Sequence, residues 1–408
     1  MISAAAISSG ATAPATEPAA PPRALIHGAG PTGALAALAL AEAGWQVTLT
    51  DPQEPRQLRE RRRAYAFSHA SRRLLERLGL WDELGSGMLP FRRLMLADLA
   101  LGVEVPFGLA DLAPGLRAVP GAAVGWIGEH AALMGVLQQR LAAHPAVRLL
   151  LGTAAETWNP AAHSPQLAEP PDLVVAADGP HSPHREALGI GLWQWSYRQS
   201  CLTAQVALRG NDDDQAWELF RPEGPFAVLP LGEGRTQLVW SAAAARCRQL
   251  EGLEANAFLD ALAATLPDRF QPDVLLDQPR AFPVALLLAR RLSRGTTVLV
   301  GESAHRCHPV GGQGLNLCWR DVDTLHRLAR RVAAGRLQPA RLPGAYGRRR
   351  WPDLLLTLLA TDLLMRLFSN RSPLLLPLRR LALALLGSMA PLRRLSLGAM
   401  THGPCRPW

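Results

Sequence analysis

The sequence predicts an α/β protein that begins with a Rossmann-like nucleotide-binding unit. Three observations predict it. A short apolar run, Ala24-Leu25-Ile26-His27, enters the glycine turn Gly28-Ala29-Gly30-Pro31-Thr32-Gly33. An Ala/Leu stretch from Ala34 to Ala43 then closes at Gly44, and a second apolar run from Trp45 ends on an acid, Asp51. Further along, two more apolar runs end in turns that pair glycine with an acid, Asp178-Gly179 and Gly301-Glu302.

Each part of the first unit has a physical reason. Gly28 permits the tight turn, Gly30 lets a pyrophosphate approach the backbone, and Gly33 lets the helix pack on the sheet. The helix start offers free N–H groups and the positive end of its dipole to phosphate. Asp51 is placed to accept from ribose hydroxyls. This unit leaves the identity of the dinucleotide open. In the second segment a buried strand from Asp172 delivers Asp178-Gly179, followed by Ser182 and Arg185. The third runs from Thr297 through Gly301-Glu302, His305, Cys307, His308 and Pro309 into Gly311-Gly312-Gln313-Gly314, with a helix predicted to start near Leu315. Amides at such a start can face an electron-rich carbonyl or a developing anion.

Composition narrows the chemistry. A chain of 408 residues implies two or three domains. All 43 basic residues are Arg. Without Lys there is no Schiff-base lysine, no P-loop lysine and no Ser–Lys dyad. The five cysteines include no CxxC pair, which suggests a reducing compartment and neither a disulfide framework nor a zinc ribbon. Residues 1–22 read as a disordered leader. The net charge of +9 is matched by the segment from Arg341 to Trp408 alone, where Arg is interleaved with Leu runs. Nucleic acid is not expected, because aromatics do not accompany the Arg. The apolar run Leu381–Leu392 would cover roughly 18 Å, too short to span a bilayer core of about 30 Å.

With these three segments the chain resembles the class A flavoprotein aromatic hydroxylases, those with the p-hydroxybenzoate hydroxylase fold. Within them it is most similar to the ubiquinone-biosynthesis hydroxylases that act on polyprenylphenols. Further carriers of the resemblance are Arg63-Ala64-Tyr65-Ala66-Phe67-Ser68, Trp126 to Glu129, Tyr197 with Gln199, Trp217 to Phe220, Leu229 to Leu231, and Thr361-Asp362 through Ser369. The resemblance implies an FAD-binding domain (23–88, 126–190 and 286–350) interleaved with a mostly antiparallel substrate domain (89–125 and 191–285), then a C-terminal helical, membrane-proximal segment (351–408). It implies non-covalent FAD held by Gly28, Gly30, Gly33, Asp51, Arg63, Asp178, Gly179, Glu302, Gly311, Gly312, Gln313 and Gly314. Pro309, Leu315 and Asn316 become the catalytic positions: a carbonyl facing substrate, and amides stabilising charge on the reduced ring. NAD(P)H would dock transiently, O₂ would add to the flavin as a C4a-hydroperoxide, and a prenylated phenol would accept the oxygen. No residue is nominated as general base. The partners implied are the inner surface of a membrane, met peripherally from the cytoplasm, and a quinone-biosynthesis complex.

Departures from the family pattern are Glu302 in place of Asp, His130 after Glu129, and a short Pro-rich stretch from Thr153 to Pro171. Glu302 and the Thr153–Pro171 stretch leave a non-catalytic flavoprotein or a lipid-binding assembly subunit as the alternative. A halogenase of this fold would need a Lys. His305, Cys307 and His308 are read as structural, not as metal ligands, and Arg61 and Arg62 as solvated. Asp212-Asp213-Asp214 is read as a surface hairpin turn, and the C-terminal Arg pairs 379–380 and 393–394 as outward-facing.

Overall fold

The computed structural model describes residues 20–152 and 170–405. Most of the predicted leader and of the 153–171 stretch lies outside them. A six-stranded sheet runs in the order Ser293–Arg294, Thr297–Leu299, Leu173–Ala176, Arg23–His27, Gln46–Asp51, Val147–Leu151. Its pairings are parallel except at the Ser293–Arg294 edge. Both faces of a parallel sheet are covered, which is why its strands read as continuous apolar runs. Helix Pro31–Glu42, with Pro in its first turn, is buried on nearly every side. It packs between the sheet, helix His130–Ala143 and helix Gln313–Ala333. All three predicted turns sit at the carboxyl ends of adjacent central strands, where open α/β sheets bind ligands.

A nine-stranded sheet supplies the second layer, ordered His305–Arg306, Arg280–Ala289, Leu192–Arg209, Arg235–Ala243, Phe226–Gly232, Gln215–Phe220, Arg93–Asp98, Val103–Gly108, with Gln271–Leu275 paired to Leu192–Arg209. Only the pairing of Gln215–Phe220 with Arg93–Asp98 is parallel. One core lies between this sheet and helices Ala244–Glu251 and Ala255–Ala263, built on Trp217, Phe226, Trp240 and Phe258. Another lies at the far edge, where Phe107 and Phe220 meet Phe368, Leu383 and Leu397 of the C-terminal helices. A small sheet, Ala64–Phe67, Gly125–Glu129 and Leu89–Phe91, bridges the layers.

Three expectations change. The Asp212–Asp214 turn does not make a hairpin, since Leu192–Arg209 and Gln215–Phe220 are not neighbours in the sheet. It is a crossover turn, held by Arg93 pairing with Asp212 and Asp214. The helix after the third glycine loop starts at Gln313, because Gly311 and Gly312 are both left-handed and turn the chain sooner. Two C-terminal arginines point inward. Arg379 of helix Leu376–Ser388 is 1% exposed and clamps Asp98 at 2.6 Å, and Arg393 of helix Ala390–His402 meets Asp111 at 3.1 Å. A carboxylate already buried in the substrate layer demands a cation, so these helices become part of the domain wall. Among the described residues no single helix is long and apolar enough to cross a membrane.

Candidate active site

A cavity of about 730 Å³ runs from the glycine turn of the parallel sheet to the floor of the nine-stranded sheet. Every site residue read from the sequence lines it except Gly33. Gly33 instead underpins it: a Cβ there would lie 1.8 Å from Gly28 O. Gly28 has φ +98°, and a Cβ on it would meet Ala177 O at 2.3 Å. Gly30 differs from both. Its backbone is extended, with φ −65° and ψ −179°, and nothing lies within 4 Å of where its Cβ would be. That open space beside a helix N-terminus is a cradle for a phosphate.

The predicted acids have structural duties beside their place on the wall. Asp51 Oδ2 accepts from Ala29 N at 2.7 Å and Oδ1 from Gln53 N at 2.8 Å, tying the glycine turn to the second strand. A carboxylate has about four lone-pair sites, so two remain for a ligand. Asp178 Oδ2 accepts from His184 Nδ1 at 2.6 Å, while its Oδ1 is buried with no partner among the described residues. A buried orphan acceptor on a cavity wall fits a ligand hydroxyl. Ser182 caps helix Pro183–Ala187 by accepting from Arg185 N at 3.0 Å. Arg185, buried, donates to Pro180 O and Ser303 O and so joins the second and third segments. His305 is bound to Asp321 at 2.7 Å, whose carboxylate also takes Gly301 N and Arg350. That network fixes the strand end from which Glu302 reaches the wall, its carboxylate half-exposed and 3.9 Å from Arg306.

The third glycine loop is held from three sides. In a helix starting at Gln313 the amides of residues 313–315 lack intrahelical acceptors and are the ones open to a ligand. Asn316 uses its whole side chain as a clamp. Its Oδ1 accepts from Ser68 N at 2.9 Å and Ser71 Oγ at 2.7 Å, and its Nδ2 donates to Ala66 O at 2.7 Å and Gly312 O at 2.8 Å. Gln313 donates to Gly311 O and to Met400 O, so the loop is also tied to the last helix. Pro309 lies on the wall immediately ahead of Gly311.

Some wall residues were missed. Arg61, read as solvated, is exposed and also lines the cavity beside Arg63. Arg63 Nε donates to Tyr65 Oη at 2.7 Å, and Tyr65 Oη lies 2.9 Å from His130 Nδ1. His130 Nε2 sits 2.8 Å from Leu58 O, and burial lowers this histidine to about 4. His130 therefore fills its unusual position as a neutral link that orients Tyr65 and Arg63. The floor is apolar, formed by Phe91, Leu94, Leu96, Leu229 and Val239, and the last helix adds Leu397 and Met400. Into this floor the strand Gln215–Phe220, buried throughout, puts Glu218, whose Oε2 accepts from Gly311 N at 3.1 Å. The sequence carried one signal for it: an acid inside the run Ala216-Trp217-Glu218-Leu219-Phe220.

The FAD binding domain model matches residues 23–94 and 169–352, more than half of the chain. The protein belongs to the FAD-dependent monooxygenase family. Ubiquinone hydroxylase UbiL of Rhodospirillum rubrum is 33% identical over 401 residues, covering 94% of this chain and 91% of that one. The 3-demethoxyubiquinol 3-hydroxylase of Escherichia coli is 33% identical over 311 residues, covering 74% and 77%. Among solved structures, Klebsiella pneumoniae HpxO complexed with FAD and uric acid superposes with a TM-score of 0.72 at 19% identity, over 94% of this chain and 98% of that one. The fold is thus that of the class A FAD monooxygenases, as the resemblance implied, and FAD is the cofactor. The Gly30 cradle, the orphan Asp178 Oδ1 and the free amides at 313–315 all fit that group.

Proposed function

We propose that this monooxygenase hydroxylates the aromatic ring of a prenylated phenol in quinone biosynthesis, of the ubiquinone or plastoquinone type. The observation that carries the reading is the apolar floor opposite the Gly311–Gly314 loop, which suits a ring with a hydrocarbon tail. The ubiquinone hydroxylases among its relatives support it. FAD, when bound, supplies electron transfer from NAD(P)H and the activation of O₂. The chain does the rest. Gly28, Gly30 and Gly33 shape the pyrophosphate cradle. Asp51, Arg63, Asp178, Gly179 and Glu302 hold the sugar and ribityl portions. Gly311, Gly312, Gln313 and Gly314 let the ring approach the backbone, with the Pro309 carbonyl toward substrate. The amides at the helix start, Leu315 included, stabilise negative charge on the ring. Asn316 acts as a positioning residue through its four hydrogen bonds. The test is the lipid quinone profile of cells lacking the protein. An accumulated under-hydroxylated prenylphenol is expected, and an unchanged profile refutes the reading.

Such a substrate is drawn from a membrane, and the same reading docks the protein peripherally on one. Its support is a stripe of leucines on helix Leu342–Phe368, where Leu355, Leu359 and Leu363 are 44%, 55% and 63% exposed. Leu378 and Leu381 of helix Leu376–Ser388 are also exposed. The cations for anionic head groups are the exposed Arg371, Arg380 and Arg394. At about 1 kcal/mol each they contribute roughly 3 kcal/mol before any apolar term. Intact protein should float with anionic liposomes at low salt, and Leu359→Asp/Leu363→Asp should stay at the bottom of the gradient. Intact protein that also stays at the bottom would exclude docking. A truncation at residue 345 is a poor test, because it removes the Leu397 and Met400 wall of the cavity.

A further inference from the structure

Glu218 is a carboxylate set into an otherwise apolar floor, and its surroundings are not those of a structural acid. It is 6% exposed and forms no ion pair among the described residues. Its register partners on the two flanking strands are Leu96 and Ala227. Its one hydrogen bond comes from Gly311 N on the third glycine loop. Oε1 makes no hydrogen bond among the described residues, so one oxygen is anchored and the other is spare. Cys201, on strand Leu192–Arg209, feels the Glu218 charge and is bonded to Ser241 Oγ at 3.0 Å. Burial pushes the Cys201 thiol up to about 12, so it stays neutral; Arg306 acts on it from beyond. Three other polar groups near the wall are engaged: His305 by Asp321, His184 by Asp178, and Tyr65 by Arg63 and His130.

We propose that Glu218 is the general base of this monooxygenase, taking the hydroxyl proton of the aromatic substrate through its spare oxygen. This rests on the phenol reading above. The substrate O–H bond breaks, its electron pair stays on the oxygen, and the proton forms a new O–H bond on Glu218. The phenolate makes the ring electron-rich where an oxygen atom, derived from O₂ at the expense of NAD(P)H, is to be added. When the hydroxylated ring regains aromaticity it releases its ring hydrogen to water as a proton. Glu218 returns the proton it holds to the original oxygen, so the residue is unchanged at the end. Burial alone pushes the Glu218 carboxyl up to about 7, opposed only by the Gly311 amide. A base poised there holds its proton after taking it and is still ionised near neutrality.

The experiment uses FAD-loaded wild type, Glu218→Gln and Glu218→Asp with 2-geranylphenol as the probe. Gln keeps an oxygen for the Gly311 amide, so FAD content should be unchanged. The wild-type rate should rise as pH rises through about 7. Glu218→Gln should lose that rise and fall roughly 10²- to 10⁴-fold, while Glu218→Asp keeps the rise at an intermediate rate. A second readout needs no turnover. The folded pKa lies above the unfolded one, so ionising Glu218 costs folded stability, progressively from about 4.5 to about 7 and fully above. Glu218→Gln should therefore melt higher than wild type at alkaline pH, with the gap closing in acid. A Glu218→Gln enzyme with the wild-type rate and pH profile overturns the proposal. So does equal loss in Gln and Asp variants with the pH limb intact, which marks a structural role. Wild type that leaves the probe unhydroxylated sinks the phenol reading, and the base with it, while the melting gap still appears.

Discussion

Gly30→Val should give a folded protein that purifies colourless and stays so with added FAD. The backbone at Gly30 is extended, a conformation open to any residue, and the Cβ position is empty to 4 Å. Valine therefore costs the apo fold almost nothing. Its methyl groups occupy the ground in which a pyrophosphate meets the helix N-terminus. Losing two charge-assisted hydrogen bonds is worth about 3 to 6 kcal/mol, roughly 10²- to 10⁴-fold in Kd. The control is Gly33→Ala, whose Cβ would overlap Gly28 O and should lower the apo melting temperature as well. Flavin absorbance after gel filtration and thermal melts of the apo proteins separate the two. Gly30→Val that keeps wild-type flavin would place the pyrophosphate elsewhere.

The second large effect is at the loop. Gly314→Val should abolish NAD(P)H-driven hydroxylation with little change in melting temperature. Gly314 lies in the first helical turn with open space at its Cβ, so valine is tolerated by the backbone and projects into the cavity. A displacement of about 1 Å between reacting groups costs roughly 10²-fold in rate. Gly312→Val should abolish turnover too, but with a penalty to the fold. Its φ is +63°, which costs a β-branched residue about 1 to 2 kcal/mol, and its Cβ would lie 3.1 Å from Ala66 Cβ. Retained hydroxylation in Gly314→Val would remove the loop from the flavin.

What could be read before the fold was known is what neighbours in sequence decide. Gly28, Gly30 and Gly33 mark a strand–turn–helix because their spacing acts within one turn. Asp178-Gly179 and Gly301-Glu302 mark strand ends for the same reason. The alternation of Leu and Arg after residue 341 marked helices, but could not say which Arg turns inward. Arg379 does so because Asp98, 281 residues away, is buried opposite it. The C-terminal segment, expected as a membrane-proximal appendage, also supplies Leu397 and Met400 to the cavity.

The glycine turns, the buried parallel strands and the chemistry that a chain without Lys must forgo are legible in the chain alone, because they depend on side-chain type and local spacing. Which side chains converge depends on the folded arrangement. Glu218 meets Gly311 across 93 residues, and Asn316 meets Ser68 across 248. Those contacts form where segments far apart in the chain meet around one cavity. Pairings at that separation leave no periodic trace in the chain, since a strand's alternation records which face is buried and not what lies across from it.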